Sequence, residues 1–326
     1  MEEQPARRLG IDVGGTKCLG VVLDGFGGMV TETRRPTPYD PDALLDVLAE
    51  IVGNLTALTG PPATVGVGAP GLITRAGVLQ ASPNVPDVTR LDIAGGLGAR
   101  IGGPVTVGND ATCAALAEWQ RGAARGVDDL LMITLGTGIG GGIVVDGHLY
   151  IGRNGFAGEF GHMVVDPNGP PCVCGRQGCW ERYASGSGLA QLARTAAVGG
   201  RLRRVVHLAG GDVELVRGEH VQAAAEEGDP GALAVIDEFA RWVALGLVNL
   251  TNAYDPAAFV LGGGLAVGAH LYLAPIRHWF GELLYAPDLR PHPVLSFAEL
   301  GEHAGAVGAA MLPAHLGAPS GAQSGT

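Results

Sequence analysis

Residues 158–181, GEFGHMVVDPNGPPCVCGRQGCWE, restrict what this chain can fold into more than any other stretch. Cys172, Cys174 and Cys179 are three of the chain's five cysteines, and His162 stands ten positions before the first of them. One histidine and three cysteines at this spacing make a Cys3His set for a tetrahedral Zn²⁺. Gly175 and Gly178 let the backbone turn tightly enough to aim three sulfurs at one point. The competing reading is a disulfide and a spare thiol. Cys172 and Cys174 are too close in sequence to pair comfortably, and the chain shows no secretory features. Four protein ligands leave no open position, so the metal is structural.

At 326 residues the chain has room for two compact domains or one large one. It is glycine-rich and apolar, yet no apolar run reaches the length of a membrane span. No apolar leader is visible at the start, and clustered cysteines suit a reducing compartment, so a cytoplasmic, membrane-free protein is expected. The net charge of −11 argues against nucleic acid as a partner. Residues 317–326, GAPSGAQSGT, read as a disordered tail.

Strand and helix signals alternate along the chain. Residues 9–13 and 18–23 read as strands around a turn, and Asp40-Pro41 starts an amphipathic helix. Residues 64–69 and 105–107 are buried strands, the second ending at Gly108-Asn109-Asp110. Residues 130–135 form a strand followed by a glycine run over 136–142 and a strand over 143–145. This repeats the opening arrangement and suggests an internal duplication. A long helix over 231–254 precedes a strand over 259–261, and a last helix spans about 304–315. Such alternation argues for an α/β fold.

Three glycine loops punctuate these strands. The first holds Asp12, Gly14, Gly15, Thr16 and Lys17: two bare backbone positions, a hydroxyl, a cation, and a carboxylate suited to hydrated Mg²⁺. The competing reading is an ordinary hairpin turn. The second contains Gly136, Thr137 and Gly138 in a run too rich in glycine for packing alone, because glycine loses chain entropy on folding. The third, Gly262, Gly263 and Gly264, suits a flat base or ribose against bare backbone. None matches the P-loop pattern, and none has the dinucleotide pattern with its acidic partner.

In order and spacing these loops are similar to those of the sugar kinase, hsp70 and actin superfold. With the CxCGxxGCxE element added, the chain resembles the ROK family of bacterial sugar kinases and repressors over about residues 9–315. The resemblance implies a two-domain actin-like ATPase (ribonuclease H-like) fold. Its smaller domain is expected over residues 1–109, completed by the helix at 304–316. The larger is expected over 110–303, with the zinc segment at 159–181. The implied activity is ATP-dependent phosphorylation of glucose at its 6-position, with Asp110 as general base and Mg²⁺ accompanying ATP. Asn84, Asn109, Asp110, Glu159, His162 and Glu181 are the implied sugar contacts, in a cleft that closes on glucose. His162 serves twice, one ring nitrogen on zinc and the other toward the sugar. A homodimer or homotetramer is also implied.

Other hexoses or N-acetylhexosamines are alternative substrates, because the family shares these motifs. A sugar-binding repressor of the same family is the reading from another class. Only eight residues precede Leu9, too few for a helix-turn-helix. A zinc-stabilised sugar binder without catalysis is opposed by the presence of Asp12, Lys17 and Asp110. Arg75, Arg153 and Arg176 receive no role, and Cys18 and Cys113 read as small core residues.

Overall fold

The computed structural model describes residues 6–82, 90–198 and 200–316. The chain begins with β1 (Arg8–Val13), β2 (Lys17–Leu23), β3 (Met29–Pro36), α1 (Pro41–Thr59), β4 (Thr64–Ala69), β5 (Val78–Leu79) and β6 (Leu91–Asp92). Then come α2 (Ile93–Ile101), β7 (Val105–Asn109), α3 (Asp110–Arg121), β8 (Leu130–Leu135), β9 (Ile139–Val145) and β10 (His148–Leu149). Four short helices follow: α4 (Glu181–Ala184), α5 (Gly186–Ala197), α6 (Arg203–Leu208) and α7 (Gly218–Glu226). The chain closes with α8 (Pro230–Tyr254), β11 (Ala258–Gly262), α9 (Ala269–Leu283), β12 (Val294–Phe297) and α10 (Ala304–Leu316). Among the described residues no helix is long and apolar enough to cross a membrane.

Local chemistry sets several of these boundaries. The Asp40 side chain accepts the Ala43 N–H at 2.8 Å and Pro41 fills the first turn of α1, as the sequence predicts. Asp229 and Pro230 start α8 in the same way. The expected loop over 136–142 is shorter than read. Strand β9 begins at Ile139, so Gly140, Gly141 and Gly142 are strand residues. Gly142 lies against α3, where a Cβ would stand 2.3 Å from that of Ala115, so packing accounts for it.

The first sheet has the order β3-β2-β1-β4-β7. β1 runs antiparallel to β2 and parallel to β4, and β4 runs parallel to β7. Register places Asp12 beside Gly68 and Ala69 beside Asn109. The turns leaving β1, β4 and β7 therefore emerge along one edge, the carboxyl edge where α/β sheets present their sites. Strands β8, β11 and β12 form a second parallel ladder, with Thr134 beside Gly262. This ladder echoes β1-β4-β7, as the suggested duplication anticipates. It brings the second and third glycine loops to one edge.

Two compact units divide the chain. One comprises Met1–Asp128, Gly142–Gly158 and Glu299–Thr326; the other comprises Asp129–Gly141 and Glu159–Ala298. Helix α3 packs against α10 and lies with it in the first unit. In that unit α10 lies backbone-to-backbone on its neighbours. A Cβ on Gly10 would stand 2.1 Å from the Ala306 carbonyl oxygen. One on Gly308 would stand 1.7 Å from that of Cys113. Only glycine allows such approach.

Gly10→Ala should therefore destabilise the protein by about 3 kcal/mol or more, because a backbone carbonyl cannot swing aside. Gly53, exposed within α1, has no neighbour within 4 Å of a built Cβ. Gly53→Ala should stabilise by roughly 0.5–1 kcal/mol through helix propensity. Denaturant unfolding of both variants checks the pair, and equal effects would contradict the packing argument.

Candidate active site

His162 closes a short 3₁₀ turn, Phe160–His162. Its Nδ1 lies 3.8 Å from Cys172 Sγ, and Cys174 Sγ lies 3.5 Å from Cys179 Sγ. One ligand atom from each of the four residues falls within 4.8 Å of all the others. Zinc–sulfur bonds of about 2.3 Å in a tetrahedron put ligand atoms about 3.8 Å apart, so the set fits one zinc ion. All five cysteines are free thiols rather than disulfides. Burial raises the Cys172 and Cys179 thiols above their ordinary range. A divalent cation inverts that preference and holds thiolates.

The backbone of this segment is shaped by close approach. Gly178 has φ +66°, and a Cβ there would stand 1.5 Å from the Asp166 carbonyl oxygen. The turn at Cys172 closes through its N–H to the Arg176 carbonyl at 2.8 Å, so the backbone of Arg176 has a structural task while its side chain is exposed. Trp180 is fully buried and its Nε1 donates to the Trp242 carbonyl of α8 at 2.8 Å. Gly246, one turn further along α8, makes room for the indole, since a Cβ there would stand 2.0 Å from Trp180 Cε2. Tyr183 stacks on Trp242 at 4.0 Å and donates to Asp166 Oδ2 at 2.8 Å. Burial, helped by that carboxylate, pushes its hydroxyl up to about 12.

The two nitrogens of His162 face different groups. Nδ1 points to the thiols, while Nε2 lies 3.9 Å from Glu159 Oε2. Glu181, the first residue of α4, has Oε1 3.0 Å from Cys172 Sγ and 3.6 Å from His162 Nδ1. Glu159, His162 and Glu181 are thus gathered around the cluster. Glu181 also explains Gly138, where a Cβ would stand 2.6 Å from its Oε2. The bare backbone at Gly138, read from sequence as room for a nucleotide, makes room for a protein carboxylate.

In the other unit, Asn109 caps α3. Its Oδ1 accepts the Thr112 N–H at 3.1 Å and its Nδ2 donates to the Gly71 carbonyl at 3.2 Å. The cap reading of Asn109 is therefore the local fact, and it delivers Asp110 at the first helical position. Asp110 accepts the Ala111 N–H at 2.9 Å. Burial raises its pKa, although this hydrogen bond offsets part of the effect. Asp12 is pushed up to about 7, chiefly by burial and then by the charge of Asp110, with Lys17 opposing. Two carboxylates short of compensating charge suit a bound divalent cation. Asn84 lies outside the described residues.

The first glycine turn is locked by Gly14 N–H to the Lys17 carbonyl at 2.9 Å and by Thr37 Oγ1 to the Gly14 carbonyl at 2.7 Å. Thr16 accepts the Thr37 N–H on its carbonyl at 3.1 Å. The second loop closes through Gly136 N–H to the Gly138 carbonyl, leaving Thr137 exposed at its tip. Gly262 ends β11. Gly263 has φ +83° and presses on the end of β8, where a Cβ would stand 2.6 Å from the Leu135 carbonyl oxygen. Gly15, Gly136 and Gly264 have open space around them and are the positions left for a ligand. Arg75 ties down the loop before Glu159, donating to the Gly152 and Arg153 carbonyls at 2.6–3.0 Å.

The family model described as ROK family matches residues 8–315. Over 308 residues the chain is 40% identical to a glucokinase of Streptomyces coelicolor, covering 93% of this chain and 96% of that protein. A glucokinase of Thermotoga maritima is 33% identical over 307 residues, covering 93% of this chain and 96% of that protein. A ROK family glucokinase from Streptomyces griseus, in a crystal structure with glucose and AMPPNP, superposes with a TM-score of 0.84 at 38% identity, covering 94% and 99% of the two chains. The chain belongs to the ROK family.

Elemental analysis of the purified protein should give about one zinc per chain. Cys174→Ser should lose most of it, whereas Cys18→Ala, distant in sequence and buried beside Thr37, should retain it. Full zinc content in the Cys174 variant would exclude the four-ligand site.

Proposed function

We propose that this chain is a glucokinase, transferring the γ-phosphoryl group of ATP to the 6-hydroxyl of glucose. The observation that carries this reading is Asp110, a half-buried acid at the start of α3 whose proton affinity desolvation raises. Its support is the whole-length similarity to glucokinases described above. Asp110 takes the proton of the sugar hydroxyl as the O6–phosphorus bond forms and the bond to the β–γ bridging oxygen breaks, releasing ADP. A carboxylate made more basic by burial is better matched to that proton than an ordinary one.

Glu159, His162 and Glu181 are assigned to the other sugar hydroxyls, with Asn84 and Asn109 joining them on the family resemblance. His162, fixed at Nδ1, presents Nε2 at a set angle. Zinc, when bound to Cys172, Cys174, Cys179 and His162, supplies a rigid attachment point and no chemistry. Asp12 is placed to hold the hydrated Mg²⁺ that accompanies ATP and neutralises phosphate charge. Lys17 and Thr16 would face the phosphates beside the open backbone of Gly15, and Gly136, Thr137 and Gly264 would complete the nucleotide contacts, while Gly14, Gly138, Gly262 and Gly263 shape the loops that carry them. A cytoplasmic homodimer or homotetramer is the proposed working form.

Asp110→Asn should keep glucose affinity within about threefold while lowering kcat by on the order of 10²–10⁴. Retention of wild-type kcat would remove Asp110 as the base. Comparison of glucose with mannose, fructose and N-acetylated hexosamines in a coupled ADP assay tests the substrate. A preference for an N-acetylated sugar would overturn the glucose assignment.

Asp12 also sets a pH dependence. Its folded pKa of about 7 lies above the ordinary 3.8, so the folded state keeps a proton that the unfolded chain releases. The stability it contributes is full below about pH 4 and is lost as pH rises through 7. The three-unit shift corresponds to at most about 4 kcal/mol. Measured without metal, Asp12→Asn should gain stability over wild type steadily from pH 4 to 8. A difference that stays constant with pH would contradict the shift.

A further inference from the structure

At the first glycine turn Lys17 belongs to a charged cluster whose other members, Glu302, Arg34, Glu32 and His303, have no part in the chemistry above. Glu302 Oε2 lies 2.5 Å from Lys17 Nζ, and its Oε1 lies 2.8 Å from Arg34 Nη2. Arg34 also pairs with Glu32 at 3.0 Å, and Glu32 Oε2 lies 2.7 Å from His303 Nε2. Lys17, and after it Arg34, holds the Glu302 carboxyl down to about 2, so it is ionised throughout the neutral range.

The turn carrying Glu302 is anchored to the framework. Glu118 of α3, fully buried, accepts the backbone N–H groups of Leu300 at 2.8 Å, Glu299 at 3.1 Å and Ala123 at 2.9 Å. Three residues beyond Glu302, Gly305 sits against Asp12, where a Cβ would stand 2.6 Å from the carboxyl carbon. Glu302 is therefore a negative charge fixed in place by Arg34 and an anchored turn. The two side chains are equally exposed, Lys17 at 46% and Glu302 at 47%, but Glu302 has Arg34 as a second partner and the shorter side chain.

We propose that Glu302 competes with the phosphate chain of the nucleotide for Lys17 and thereby sets the affinity for the phosphoryl donor. This rests on the reading of Lys17 as a phosphate-facing cation. An incoming polyanion meets a cation already engaged in a short charge-assisted hydrogen bond, with the carboxylate next to it. Half-exposed ion pairs are weak, so Lys17 can exchange partners, and the resulting effect on affinity is moderate. Glu302 touches neither substrate nor reacting atoms; it acts through Lys17 as a positioning residue.

The test compares Glu302→Gln, Glu302→Asp and Lys17→Met with wild type, in steady-state kinetics and in direct calorimetric binding of Mg-AMPPNP. Glu302→Gln keeps the shape and the hydrogen bond to Arg34 but removes the charge. Its KM for MgATP and its Kd for Mg-AMPPNP should fall by about three- to tenfold, with kcat and the KM for glucose within about twofold. Glu302→Asp, which keeps the charge, should stay within about twofold of wild type in all of these. Lys17→Met should raise the KM for MgATP. If Lys17→Met raises it but Glu302→Gln leaves it unchanged or raises it, the competition is wrong while the reading of Lys17 stands. If Lys17→Met leaves nucleotide affinity unchanged, the reading of Lys17 fails and the competition fails with it.

Discussion

Convergence of four ligand atoms on one point organises residues 159–181, the segment proposed to face the sugar. Between Glu159 and Trp180 the chain has almost no regular structure beyond one three-residue turn and two isolated strand bridges. A segment of that kind does not bury enough apolar surface to order itself. With a metal bound, the Cys3His set would tie one end, and the indole of Trp180, seated on Gly246, ties the other. His162 and Glu181 inherit their positions from these two ties.

The other unit reaches precision by a different route. Its strands are regular, and α10 lies on them at glycine-to-backbone distance. That close packing buries Asp12 and raises its proton affinity, while Asn109 caps α3 and so places Asp110 at the helix start. Burial of two acids near one another costs stability unless a cation or a proton is present. The cost is the mark of a functional site in an otherwise well-packed framework.

Much of this was legible in the sequence because the signals are local. The cysteine spacing, the Asp-Pro starts of α1 and α8, and the strand-to-helix step at Asn109-Asp110 each depend on neighbours within a few residues. What was not legible depends on partners far along the chain. A glycine run looks the same whether a ligand or another backbone approaches it. Gly138 answers to Glu181, Gly142 to Ala115, and Gly263 to the end of β8. The packing of α3 on α10, nearly two hundred residues later, is of the same kind. Glu302 left no signal, since an acid in an exposed turn is ordinary until Lys17 and Arg34 are seen beside it.

If a metal clip orders the proposed sugar-binding groups, glucose binding must depend on zinc. Calorimetric titration of glucose into zinc-loaded protein and into protein stripped by a chelator reads this, with circular dichroism following the fold. Stripped protein should lose measurable glucose binding and recover it when zinc is restored. Metal-free protein that binds glucose with unchanged affinity would show that the clip does not order these groups.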